Sequence, residues 1–257
     1  MASSTTSVLS LLLLVFCTAA ASSAATIRMY PKEHVVLPDG DPSCESWKFA
    51  VEVNAAGAWN SVPRPCVQFV RDYFNGDRYL SDSEAVADYS LSFANSLNVA
   101  GDGGKDAWVF DVDETLLSNL PYYRTHGFGS EPYNDTSFNE WVNEGVAPAL
   151  PASLRLFNKV KGLGIKIFLL TGRPEAQRAI TQQNLLDAGY SGWEKLILRG
   201  ADDEGKKAIA YKSEKRSELE EEGYIIQGSS GDQWSDLVGY ALSKRSFKLP
   251  NPMYYIP

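Results

Sequence analysis

Apolar positions recur along this chain at two different spacings. From residue 44 to about 96 they fall at helical intervals, in SWKFAVEVNAA, CVQFVRDYFNG and SEAVADYSLSFANSL. Three helices are expected there, with Phe49, Val53, Val67, Val70 and Phe74 facing inward. Gly76 should close the second, and Asp82 or Ser83 should cap the third. Residues 26–43, rich in Pro, Gly and Asp, read as an irregular arm, and the DGG at 102–104 as the turn that ends the helical part. Beyond it, short apolar runs alternate with helical stretches, the signature of a parallel sheet. The runs are 107–110, 165–170, 196–198, 224–227 and a fifth around 247–249.

Pro151 should open the helix before the second run, and Gly162 or Gly164 should end it; Pro174 should open the next, with Gly189 closing it. The connection over 116–164, about fifty residues, is longer than a crossover needs. It holds Pro121, Tyr122, Tyr123, His126, Phe128, Tyr133 and Trp141, and its first part, about 117–150, is expected to form a small cap. The fold class is therefore α/β: a Rossmann-like parallel sheet flanked by helices over 105–257, preceded over 26–104 by an arm and a helical extension.

The first run ends in AWVFDVDET. Residues two apart in extended backbone share a face, so Asp111 and Asp113 can converge beyond the carboxyl end of a buried strand, where open α/β sheets bind ligands. The second run ends in LLTGR, where the Thr171 hydroxyl and the Gly172 backbone, with a helix N-terminus behind them, suit phosphate oxygens. The fourth leads into GSSGDQWSD. A spacing of four places Asp232 and Asp236 on one face of the following helix, and with the pair from the first strand they form a cluster that calls for a cation. Oxygen-only donors beside a phosphate site favour Mg2+ over zinc. YKSEKR opens a highly charged helix, most of it a solvated face, from which Lys212, rather than Lys215, reaches the phosphate. The two histidines, His34 in the arm and His126 in the cap, do not suggest a histidine metal site.

Composition adds compartment and partner. Of 257 residues 44% are hydrophobic and 22% charged, enough to build a core. The net charge of −8 and pI near 4.9 argue against nucleic acid as a partner. An apolar stretch over 8–20, followed by small residues, is expected to be a signal peptide over 1–25. It places the chain in the secretory pathway, outside the cell or in the vacuole, with no membrane association after its removal. Cys17 would leave with it, so Cys44 and Cys66 should pair, closing a loop worth roughly 3 kcal/mol. Asn134 heads the glycosylation sequon NDT.

These four pieces, in this order, resemble the haloacid dehalogenase superfamily of phosphohydrolases: DVDET its first motif, LLTGR its second, the lysine of YKSEKR its third and GDQWSD its fourth. The helical lead-in with CESW and a later cysteine, together with DVDETLLSNLPYY, is closer still to plant acid phosphatases and vegetative storage proteins. The resemblance implies Asp111 as nucleophile, forming an aspartyl-phosphate, and Asp113 as the acid and base. It implies phosphoryl binding by Thr171 and Lys212. It also implies Mg2+ held by Asp111, the Asp113 carbonyl and Asp232, with Asp236 in support. The expected activity is a Mg2+-dependent acid phosphatase on small phosphomonoesters. The alternative is a storage or defence glycoprotein on the same fold with little or no turnover. A homodimer is a further expectation of the resemblance.

Overall fold

The computed structural model describes residues 42–99 and 104–257. The expected signal peptide, the arm with His34, and the turn at 102–103 lie outside the described residues. The sheet is built from β1 (Asp106–Phe110), β2 (Lys166–Pro174), β3 (Lys195–Arg199), β4 (Ile225–Gly231) and β5 (Arg245–Lys248). All pairings are parallel, and the order is β3-β2-β1-β4-β5. β1 is thus central and buried along its whole length, which is why it reads as an uninterrupted apolar run.

Strand alternation sends Trp108 and Phe110 to one face of the sheet and Ala107 and Val109 to the other. On the first face they meet α3 (Asp77–Ser96) and α6 (Pro151–Gly162) through Ala87, Ala94, Leu156, Phe157 and Val160. On the second they meet Tyr211 and Leu219 of α8 (Ala208–Glu221). Each large apolar side chain so buried contributes about 1.5–3 kcal/mol. Gly228 is required at its place: a Cβ there would lie 2.6 Å from the Trp108 ring.

The N-terminal helices α1 (Pro42–Glu52) and α2 (Val67–Asn75) form a second apolar cluster. It joins Cys44, Val70, Tyr73 and Phe74 to Tyr122, Tyr123, Phe128 and Met253. Cys44 and Cys66 are disulfide-bonded, with Cα atoms 5.3 Å apart. The bridge decides which side of α1 turns inward: Cys44 and Val51 are buried, whereas Phe49 and Val53, expected inside, are exposed. Residues 44, 47, 48 and 51 share the inward stripe, and 49 and 53 lie opposite it. Val67 is only partly buried.

Gly76 ends α2 as expected, but α3 begins at Asp77. Asp82 and Ser83 therefore lie inside α3 and cap nothing. Asp82 accepts from Tyr73 Oη at 2.8 Å, and Ser83 Oγ donates to its own helix at the Tyr79 carbonyl.

The long connection carries α4 (Leu120–Thr125) and α5 (Asp135–Glu144). β2 runs on through Pro174, and a 3-10 turn separates it from α7 (Arg178–Asp187), so Pro174 does not open that helix. β4 likewise runs four residues past Gln227. Only the four-residue α9 (Trp234–Leu237) follows, with Asp232 ahead of it rather than on its face.

Candidate active site

Asp111 follows the last residue of β1, and its backbone N–H is bonded to the Ser230 carbonyl of β4 at 2.9 Å. The side chain accepts from Lys212 Nζ at 2.5 Å, and the same ammonium reaches Asp236 Oδ1 at 2.8 Å. Lys212 also donates to the Leu170 carbonyl at 2.6 Å, so one buried cation ties β1, β2 and the loop after β4 together. Lys215, by contrast, pairs with Glu218 on the helix surface. α8 is less solvated than its composition suggests: Tyr211, Lys212, Ser213, Arg216 and Leu219 all point inward.

Asp111, Asp232 and Asp236 each offer an oxygen within 4.8 Å of the others, and all three are buried. Burial, then the repulsion of Asp236, pushes the Asp111 carboxyl well up, against the pull of Lys212. Burial, then Asp236 and Glu114, raises Asp232 to about 7. Burial lowers Lys212, but Asp111 and Asp236 outweigh it and hold the ammonium charged. Asp111 and Asp232, both with raised proton affinity, form with Asp236 a crowded set that a divalent cation would neutralise, and their oxygens suit a hard one. Gly231 permits this closeness, since a Cβ there would meet Asp236 at 2.6 Å.

The carboxylate of Asp113 is not in that cluster, contrary to the four-acid group expected. Arg173 takes it instead: Nη2 donates to Oδ1 at 2.7 Å, and Nε to Oδ2 at 3.1 Å. The cause is an irregularity in β2. Its register with β3 jumps from Leu170–Ile197 to Pro174–Arg199, so that Thr171, Gly172 and Arg173 stand opposite Leu198 alone and leave the regular ladder. Burial raises Asp113, but Arg173 prevails and holds the carboxyl below its usual range.

Thr171 is fully buried at the strand end, its carbonyl accepting from Tyr211 Oη at 3.0 Å and its Oγ1 from the Arg173 N–H at 3.2 Å. Gly172 is exposed with open space where a side chain would be. The expected helix N-terminus does not stand behind them, because α7 starts only at Arg178.

Asp111, Asp113, Gly172, Arg173, Lys212, Asp232 and Asp236 line one cavity of about 570 Å³. A model of the HAD superfamily, subfamily IIIB (acid phosphatase), matches residues 33–257. The chain belongs to that acid phosphatase family. Acid phosphatase 1 of Solanum lycopersicum is 53% identical over 213 residues, 83% of each chain. Vegetative storage protein 2 of Arabidopsis thaliana is 34% identical over 262 residues, covering 97% of this chain and 98% of its own. The class C acid phosphatase of Bacillus anthracis shares the fold, with a TM-score of 0.62 at 23% identity, covering 74% of this chain and 85% of its own.

In this acid phosphatase the outer cavity wall is aromatic: Trp59, Tyr123, Tyr133, Phe138, Tyr254 and Tyr255 contribute. Asn134 is exposed beside that wall and caps α5, its Oδ1 accepting from the Ser137 N–H at 3.0 Å. His126 is not in the lining; it stacks on Tyr122 at 3.9 Å and bonds the Tyr122 carbonyl.

Sequence reasoning gave no role to Arg173, Glu114, Asn119, Gln233, Asn251 or Tyr254. Arg173 stands in the LLTGR motif itself, and its charge beside a phosphate site was the available signal. Glu114 is buried with φ +50, a backbone region side chains rarely adopt. Burial, then Asp113, raises its carboxyl to about 7. No helix among the described residues is long and apolar enough to cross a membrane.

Proposed function

We propose that this acid phosphatase hydrolyses small phosphomonoesters with Mg2+, through an aspartyl-phosphate on Asp111. The observation that carries the proposal is Asp111 itself: a carboxylate at the end of the central strand, open to a cavity and flanked by a lysine and two further aspartates. Asp111, Asp232 and the Asp113 carbonyl would hold the cation, with Asp236 in support. When bound, it supplies charge neutralisation at the phosphoryl oxygens.

Asp111 attacks phosphorus and the bond to the leaving oxygen breaks, the leaving oxygen taking a proton from Asp113. Water then attacks the acyl phosphate, giving a proton back to Asp113 and releasing inorganic phosphate. Lys212 neutralises and the Gly172 backbone orients the phosphoryl oxygens, the main task a protein has in this chemistry, while Thr171, fully buried and outside the cavity lining, accepts from the Arg173 N–H behind them. Arg173 holds Asp113 ionised, as the second step requires. In the first step the arriving phosphoryl group competes for the guanidinium and frees Asp113 to carry its proton, which an acidic medium favours.

The cavity volume suits a small ester. The disulfide and the apolar opening stretch support maturation in an oxidising secretory compartment, where Asn134 would carry a glycan at the cavity lip.

The storage alternative draws on relatives such as Vegetative storage protein 2, and one assay separates the two. p-Nitrophenyl phosphate turnover should need Mg2+, peak below neutral pH and fall at least about a hundredfold in Asp111→Asn. Equal, slow rates in both proteins would favour storage.

A further inference from the structure

After β5 the chain turns back over the site, and polar atoms of residues 249–256 reach both acidic loops. The Leu249 N–H starts the segment on the Gly231 carbonyl at 2.9 Å. Asn251, 1% exposed, donates Nδ2 to Asp232 Oδ2 at 2.7 Å, and Gln233 Nε2 donates to the same oxygen at 2.7 Å. The orientation of the Asn251 amide is set, because its Oδ1 accepts from the Met253 N–H at 2.9 Å. Gln233 is set in turn, with Oε1 accepting from the Ile256 N–H at 2.9 Å. Two amides therefore hold one oxygen of Asp232. Among the described residues the other, Oδ1, has only a long contact from Thr115 Oγ1 at 3.4 Å.

A second arm leads to Asp113. Tyr254 stacks on Tyr123, ring centroids 5.2 Å apart, and donates its hydroxyl to Glu114 Oε2. Glu114 Oε1 accepts the Asn119 N–H. Asn119 Nδ2 reaches Glu114 Oε2 at 3.0 Å and Asp113 Oδ1 at 2.9 Å, while Trp141 Nε1 donates to Asn119 Oδ1 at 2.9 Å. Glu114 keeps its left-handed backbone where this network over-determines it. A segment that only closed the apolar cluster would need Met253, which is buried there, and not these polar side chains.

We infer that Asn251 and Tyr254 are positioning residues of this site, acting through separate arms. Asn251 aims Asp232 and so sets cation affinity. Tyr254, through Glu114 and Asn119, aims Asp113 and so sets the rate of proton transfer. The inference rests on the phosphatase function proposed above, and carboxylates that bind a cation are commonly oriented by such outer hydrogen bonds.

The test uses the full mature chain and two variants, Asn251→Ala and Tyr254→Phe, the latter keeping the ring on Tyr123. Calorimetric titration with Mg2+ alone, without substrate, should show Asn251→Ala binding at least about tenfold more weakly. Tyr254→Phe should bind Mg2+ within about twofold of wild type, yet lose about tenfold in kcat on p-nitrophenyl phosphate with KM unchanged. Asn251→Ser, which keeps an acceptor near the Met253 N–H but falls short of Asp232, replaces the alanine variant if that one does not fold.

Wild-type Mg2+ affinity in the Asn251 variant overturns the first arm, and wild-type kcat in Tyr254→Phe the second. Parallel loss of affinity, kcat and melting temperature in both variants overturns the inference in favour of a packing role. A wild type that binds Mg2+ but hydrolyses nothing sinks the phosphatase function and leaves the Asn251 result standing. One that does not bind Mg2+ sinks both.

Discussion

Arg173 carries more of the site than its place in the sequence suggests. It grips both oxygens of Asp113 and donates Nη1 to Thr181 at 3.1 Å, so its guanidinium is aimed from two sides. A lysine there keeps the charge but loses the planar fork. Arg173→Lys should lower kcat/KM on p-nitrophenyl phosphate and weaken competitive inhibition by inorganic phosphate, each by about tenfold or more. Unchanged phosphate inhibition would separate Arg173 from the phosphoryl group. Asp111, Lys212, Asp232 and Asp236 were legible as site candidates because each follows or faces the end of an apolar run. Arg173 lies within LLTGR, but nothing in the order of residues says that an irregularity of β2 turns it onto Asp113. Asn251 and Tyr254 were illegible for a different reason: they reach the site only through tertiary folding of a Pro-rich stretch.

At the scale of elements, α8 is a ruler between the sheet and the loop after β4. Lys212 and Arg216, one turn apart, share an inward face. Arg216 is 1% exposed and donates to the carbonyls of Asp236, Val238, Tyr240 and Ala241, and to Ser213 Oγ. Arg216→Met should cost about 3 kcal/mol in urea unfolding, because the buried Asp236 carbonyl and three part-buried ones lose their donor. A cost under about 0.5 kcal/mol would show that water replaces it. Charge patterning hid this face, since a run of Lys, Arg and Glu ordinarily marks solvent and only the loop it grips reveals otherwise. β1 and the start of β2 were legible because burial on both sides leaves a continuous apolar run. Their carboxyl ends were not: β2 and β4 run on through Thr, Gly, Ser and Arg, residues whose place in the ladder comes from neighbouring strands. α1 failed in detail because a bridge, not its apolar count, chose its inward side.

For the whole molecule, pH and cation are linked. In chelated protein Glu114 and Asp232 are raised to about 7, from 4.5 and 3.8. The folded chain then keeps protons that the unfolded chain releases. Their stabilising contribution is full below about pH 4 and lost as pH rises towards 7. Asp113, held down by Arg173, has the opposite sign: its contribution is present above the ordinary carboxylate range and lost on acidification. Thermal melts of chelated protein should therefore fall between about pH 5 and about pH 7.5, and Mg2+ should raise the melt more at the higher value. A flat profile with no Mg2+ effect would contradict this charge balance.

The bridge between Cys44 and Cys66 has a reach of its own. Trp59 and Asn60, which line the cavity, hang within the loop it closes, and Trp59 rests against Trp47 of α1 and Tyr255. The redox poise of the compartment thus extends to the mouth of the cavity. A chain matured among reducing thiols would keep its carboxylates on the sheet, yet meet bulky alcohols with a slack wall. Which esters are admitted and how fast phosphorus is transferred would then answer to different covalent facts.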